Sequence, residues 1–512
     1  MNYKFFFILL LFFASSLCAQ EQAAKITENA DTVYVIRLIE FDVDGITRPY
    51  ALIYHGEFRE GERIMGKDNL DRYLARKQQL LLNERVLEEV RIEYFLGDRE
   101  DDGALPVTLY VHVKDTWNLI ILPYPKYDSN EGFSLTLKAR DYNFLGTMSA
   151  LKMDLGYSQE NGDHAIGFSI ESGTHFQAAG LNWNLVFNNF FSYTFEDSLF
   201  YQNVTGLSLE LPWRLTTFTV GINQYLTINE ENSAENKEVY GLADRYYGPY
   251  GSTEPYVSWK IPFGVEIGDF GELAYTPRIS GRVNYPYGSM DEPRKPVAGF
   301  SHSIGFGSIN WIGNYRKGLS VFINNDYSRY FDRPDASLKI TLDGEVTFHW
   351  PFSLFVGVSS RLKYRQWWQW SDMIDGRIPY YSAGDMLRGV LNTDVRAYQM
   401  LSLNMDFPIR ALRFWPSEWF DNGKLHIFDF EMHISPFTDI AVLEGPYNQL
   451  KPDDMLYAAG LEIIVFPGFF RSLNIRASVG YNINKIVNNG PSLKWGFFPE
   501  WDEIFIGLEH HY

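Results

Sequence analysis

Few residues in this chain are spaced for covalent chemistry. The sequence has no Gly-x-Ser-x-Gly nucleophile elbow, no His-Glu-x-x-His zinc helix, no phosphate loop and no dinucleotide fingerprint. His510 and His511 are adjacent, and neighbours on a strand point to opposite faces, so they are not expected to share a metal. Cys18 follows Leu17, where an acylated cysteine wants a small residue, so lipidation is not expected. The expectation is a non-enzyme without cofactor or metal. What recurs instead is charge at every second position of apolar runs. Lys138 and Arg140 alternate with Leu137 and Ala139, Lys152 and Asp154 alternate with Met153 and Leu155, and Lys339 sits between Leu338 and Ile340. Such groups are placed for ion pairing and hydrogen bonding along a wetted wall, because buried in a dry sandwich core they would lack partners.

The elements that position them follow from the order of the chain. Lys4, the apolar run Phe5 to Ala14 and the small residues up to Ala19 predict a secretory signal over 1–19, cut after Ala19, with a linker over 20–30. Cys18, the only cysteine, would leave with it, so no disulfide framework is expected in an exported chain. Beyond this segment no apolar stretch approaches the ~20 residues of a spanning helix. The 33 Tyr, 39 Phe and 13 Trp make 17% aromatics, yet mean hydropathy is only −0.22. That combination suits strands with one greasy and one polar face, bordered by aromatic girdles. A net charge of −19 argues against nucleic acid or anionic lipid as the main partner.

Residues 31–116 read as a small α+β module. Ile39, Phe41 and Val43 alternate with acids as a half-buried strand. Thr47 and Pro49 signal a helix start, and Asp68 caps a second helix whose Leu70, Tyr73, Leu74 and Leu81 share a face. Two alternating runs follow, Val90 to Tyr94 and Val107 to Val113. From Trp117 to Tyr512 period two dominates, as in Phe133 to Ala139, Leu181 to Phe187 and Phe218 to Ile222. Short proline-bearing apolar turns (ELPWRLT, WKIPFG, HWPFSL, VFPGFFRS) alternate with long polar loops such as Asn229 to Ser252 and Ser371 to Asp385. That asymmetry is the outer-membrane arrangement, and ~10 residues per strand plus connections gives about 16 strands. The fold expected is mainly β, a transmembrane antiparallel barrel over 117–512.

The module's element order resembles a polypeptide-transport-associated (POTRA) domain, with a leucine-rich helix just before RVLEEVRIEYF. ARDYNFLGT (Ala139 to Thr147) resembles the first hairpin of BamA/TamA-family barrels, also described as the bacterial surface antigen type. GDMLRGV (Gly384 to Val390) with LSLNMDFPI (Leu401 to Ile409) resembles that family's inserted loop and following strand, with Val390 where the family prefers an aromatic. PFTDIA (Pro436 to Ala441) is similar to its Phe-x-Asp-x-Gly motif, with Ala441 for glycine, and the terminal strand carries Gly507 and Tyr512 spaced as in a C-terminal strand signal.

The resemblance implies that Arg388 anchors a loop folded into the lumen. Its five donors suit wall carboxylates such as Asp439, near Phe437, and Gly389 would let the backbone turn closely. It also implies that a first strand near Phe133 to Asp141 closes on a last strand near Glu503 to Tyr512, and that this seam is the working part. The implied function is an outer-membrane assembly or translocation factor with its module in the periplasm. It would receive unfolded or nascent outer-membrane or secreted polypeptides, with periplasmic or lipoprotein accessory factors and outer-membrane lipid as further partners. The alternatives are a two-partner-secretion-like exporter of one dedicated protein, which usually carries two POTRA domains, and a passive structural barrel or porin. A single POTRA domain points to a specialised role.

Overall fold

The computed structural model describes residues 32–128, 132–160, 163–195, 198–229, 248–286, 296–331, 338–370, 375–377, 380–381, 386–390, 396–445, 454–489, 493–494, 498–499 and 503–508. The first of these segments folds around its own core. Strand β1 (Val33–Asp44) is followed by α1 (Pro49–His55), the short β2 (Arg63–Met65), α2 (Lys67–Asn83), β3 (Leu87–Leu96) and β4 (Leu105–Asp115). The sheet order is β2-β1-β4-β3, with β1 parallel to β4 and the other pairs antiparallel.

Period two puts Val107, Leu109, Val111 and Val113 on the covered face, where Leu70 and Leu81 of α2 and Leu52 of α1 meet them, all fully buried. Tyr73 and Leu74 pack at the margin of this core. Two details differ from the sequence expectation. Asp68 lies inside the first turn of α2, where its charge suits the helix dipole, and the cap is Gly66 at φ 83. Thr47 does not cap α1, because its hydroxyl is committed to Asp115 at 2.6 Å.

From Leu119 onward the chain is a closed antiparallel barrel with 18 strands among the described residues, two more than the count of about 16. Connections of two residues, such as Ala179–Gly180, Arg214–Leu215 and Gly313–Asn314, and strands as short as Gln399–Asp406 and Ile475–Asn482 fit more strands into the same length. The first barrel strand is β5 (Leu119–Asp128), and Phe133 to Asp141 belongs to the second, β6 (Gly132–Asp141). The β5 sequence LIILPYPKYD hides its alternation behind Pro123 and Pro125. WKIPFG is likewise part of a strand, Gly248–Glu266, whose register shifts between Pro262 and Glu266 before the true turn.

The alternation divides the wall as amphipathic strands require. Leu137, Leu155 and Ile279 stand outward and exposed, whereas Arg140 reaches Asp154 at 2.5 Å, Lys152 reaches Glu171 at 3.6 Å and Arg278 and Arg282 both reach Glu254 at 3.1 Å on the inner face. Lys138 lies over the Tyr124 ring at 4.3 Å and Lys339 over Trp367 at 5.4 Å. An apolar outside with a polar, ion-paired lumen is the architecture of an outer-membrane barrel.

The module sits against the rim that carries the short turns. Asp115 accepts hydrogen bonds from the Ile46 and Thr47 amides, the Thr47 hydroxyl and Asn143 of the connection after β6, and Asn143 also donates to Thr47 Oγ1 at 2.7 Å. Gly146 presses on the Ile46 carbonyl, which a Cβ there would meet at 2.1 Å. Across the mouth, Asn83 binds Asn310, and the Arg85 guanidinium covers Trp311 at 4.1 Å.

Candidate functional sites: a lumen anchor and a barrel seam

Arg388 lies on a loop that passes inside the barrel, and two wall strands meet it. Strand Phe430–Glu444 buries every second residue, which turns Phe437, Asp439 and Ala441 inward. Its neighbour Gln399–Asp406 supplies Asn404, directly opposite Asp439 in register, and Asp406. The guanidinium uses its fork fully. Nε and Nη2 donate to the two Asp439 oxygens at 3.0 and 2.7 Å, Nη1 donates to Asp406 at 2.6 Å, and the Arg388 backbone N–H donates to Asp439 Oδ2 at 2.8 Å.

The Phe437 ring lies under the cation at 3.9 Å. Arg388 is 3% exposed and Asp439 0%, so the pair is desolvated, and its strength depends on every lone pair being met. Asn404 completes the frame by donating to the Met386 carbonyl at 2.9 Å.

Gly389 and Val390 hold the loop in place by different means. Gly389 has φ +81, and a Cβ on it would sit 2.7 Å from the Tyr481 amide nitrogen; Gly480 answers from the wall, where a Cβ would meet Gly389 Cα at 2.6 Å. Backbone lies directly on backbone, which only glycine permits. Val390 is buried with Met386, Leu387, Met400, Ala441 and Leu443, so the valine and alanine that depart from the family pattern share one small apolar cluster. The structure therefore brings together Arg388, Gly389, Val390, Phe437 and Asp439. Sequence reasoning missed Asp406, Asn404 and Gly480. The first two stand inside the quoted LSLNMDFPI, and Gly480 gave no pattern signal.

The second site is the seam. The last strand, Glu503–Leu508, pairs with Ile475–Asn482 over six positions, Gly507 opposite Arg476. Among the described residues it closes on β5 at Phe505 to Asp128 and Ile506 to Tyr127, and the pairing stops short of Gly507 and Leu508, which the same register would set opposite Lys126 and Pro125. Strand β5 keeps an unbroken ladder of ten positions with β6.

Prolines explain the contrast. Elsewhere in the wall, between Gly248–Glu266 and Glu272–Pro286, the ladder lapses at Pro255 and Pro277, because proline has no N–H to give. The β5–β6 ladder does not lapse at Pro123 or Pro125, so their nitrogens face the other edge, the seam. Tyr127 has the same parity and is the last seam-facing donor above them. Continuing the register would set Pro125 opposite Leu508, where no donor exists. Tyr512, His510 and His511 lie outside the described residues.

No family model matches this chain, and no curated protein matches it. Among solved structures it is similar to CdiB from Acinetobacter baumannii (12% identity, 93% of this chain and 73% of that one, TM-score 0.46) and to CdiB from Escherichia coli (11%, 93% and 76%, 0.48). It is also similar to BamA from Haemophilus ducreyi lacking POTRA domains 1–3 (13%, 93% and 84%, 0.40).

Proposed function

We propose that this chain is an outer-membrane assembly or translocation factor whose N-terminal module, placed in the periplasm, receives unfolded polypeptides and passes them to the barrel seam. The observation that carries this reading is that the described seam pairing stops at Tyr127, just above two prolines that remove donors from that edge. Each donor that a proline removes forgoes about 0.5–1.5 kcal/mol, so this edge is weaker than the same strand with those donors in place. An under-paired edge is a template for another strand, and polypeptide recognition by strand addition uses such an edge.

The anchored loop supports the same reading. Arg388 and its carboxylates fix backbone across the lumen, which suits a barrel that works at its wall better than an open pore. POTRA identity for the module belongs to this proposal too, and β3, the edge strand of its sheet, offers a first place for an extended client beyond Val90, whose carbonyl already accepts from Gln78.

The test is the outer-membrane proteome after depletion of this protein. Broad loss of barrel proteins supports a general insertase, and loss of one or a few surface proteins supports a dedicated factor. An unchanged proteome contradicts the proposal and leaves a passive barrel.

A further inference from the structure

The connection between strands Ile409–Phe414 and Phe430–Glu444 is unlike its neighbours on the module-side rim, several of which are two-residue turns. Trp415 to Asp429 forms a short helix, α3 (Pro416–Trp419), and a 3-10 stretch, Gly423–Phe428. Asp429, 1% exposed, ties the two together: it accepts the Ser417 amide at 3.1 Å and the Ser417 hydroxyl, and it binds His426 Nδ1 at 2.8 Å. Its carbonyl receives the Gly468 amide of the next turn at 2.7 Å. This is a fixed structure. Yet it shows solvent four large apolar side chains, Trp419 (58%), Phe420 (70%), Ile427 (58%) and Phe428 (57%). A rigid apolar patch of this kind marks a contact surface.

The neighbouring packing says what covers it. Phe414 and Phe430 are opposite in register, and Phe430 alternates with the buried, inward Glu431 and His433, so both phenylalanines belong to the outer wall. Trp419 packs edge-on against Phe414 at 5.0 Å. The connection is therefore folded onto the lipid-facing side of the barrel, continuous with its apolar belt. Its charges are mixed and mostly answered: Arg413 pairs with Glu418 at 2.8 Å, Lys424 lies three residues from Asp421, and Asp429 is buried against Ser417 and His426. Such a surface suits the glycerol and upper acyl zone of phospholipid, where Trp and Phe are at home, and gives an acidic or basic partner nothing to read.

Beside it a trough of about 580 Å³ runs to the foot of β5; its lining is apolar at Ile427, Phe469, Trp117, Leu119 and Ile121 and polar at Glu88, His426 and Arg471. We propose that Trp415 to Asp429 is a shelf seated in the bilayer leaflet on the module side, and that the trough is filled by acyl chain of that leaflet. The inference rests on the barrel lying in a membrane, and it is independent of which client the seam takes.

The experiment uses the full chain with Cys18→Ser, carrying Phe420→Cys or, as a second variant, Ile427→Cys, each labelled with a small fluorophore. The labelled protein is placed in phosphatidylcholine nanodiscs with or without dibrominated phosphatidylcholine. Leu137→Cys on the outer wall and Glu93→Cys on the module are the references. The shelf predicts quenching of the Phe420 and Ile427 labels by brominated lipid by about two-fold, close to Leu137, with little quenching by iodide. Quenching by iodide alone, as at Glu93, overturns the shelf. Protection from both quenchers overturns it as well. Failure of brominated lipid at Leu137 itself would instead contradict the membrane reading on which the shelf rests.

Discussion

The lumen anchor and the seam lie in one wall and treat the hydrogen bond in opposite ways. At Arg388 all three guanidinium nitrogens donate to two carboxylates, and the backbone of Gly389 lies against Gly480 with no side chain between them. At the seam β5 keeps an unbroken ladder with β6 on one edge, while on the other the described pairing stops at Tyr127, just above its prolines. A barrel gains nothing from a closed ladder everywhere if one joint has to open. The difference teaches that rigidity here is local: the loop is over-determined, and the joint is deprived of donors by two prolines.

The largest effect is expected from breaking the anchor. Arg388→Ala leaves the buried Asp439 and the half-buried Asp406 without their cation, and it should cost about 3–5 kcal/mol, read as a lower unfolding temperature of the barrel in detergent. Arg388→Lys should recover only part of this loss, since a point charge cannot serve both oxygens of Asp439 and Asp406 together. An unchanged transition in both variants would mean that the loop is not anchored by this pair.

Next in size is Gly389→Ala. A Cβ 2.7 Å from the Tyr481 nitrogen, at φ +81, should cost about 1–3 kcal/mol and loosen the loop, seen as faster cleavage of it by added protease. Pro123→Val with Pro125→Val sharpens the other side of the comparison. Two restored donors should add about 0.5–1.5 kcal/mol each, slow amide exchange along β5 and the last strand, and lower client delivery. Faster delivery with slower exchange would show that the seam does not have to part.

The smallest effect lies in the module. Arg37 binds Glu100 and Arg63 binds Asp102, and each hydrogen bond to the arginine holds its carboxyl below the ordinary carboxylate range. Groups with depressed values stabilise fully above the ordinary carboxylate value, and that stability is lost as pH falls through the folded value. Both pairs are exposed, so Glu100→Gln should narrow only slightly the gap in module amide protection between pH 7 and acid.

Much of this arrangement was legible in the sequence, and the failures have physical causes. Alternation in runs such as Leu135 to Ala139 reports a two-sided wall directly, because side-chain direction has period two. Arg388 and Asp439 were singled out through the resemblance of two short motifs to a known family, since spacing alone does not distinguish a buried ion pair from a solvated loop charge and a turn residue. Asp406 and Gly480 were missed because their roles come from register: Asp406 belongs to the strand lying against that of Asp439, and Gly480 comes beside Gly389 only when the barrel closes. Strand β5 was missed for the reason that makes it interesting. Its prolines erase the usual strand signature while leaving one edge fully competent to pair.

The central claim is tested most directly by locking the joint. Asp128 and Phe505 are partners in the seam register, and their parity makes them a non-hydrogen-bonded pair, with Cα atoms about 4.5 Å apart, within reach of a disulfide. In a Cys18→Ser background, Asp128→Cys with Phe505→Cys should leave a folded barrel that loses client delivery when oxidised and regains it on reduction, while the parent ignores the reductant. Full delivery by the oxidised, folded barrel would contradict the account.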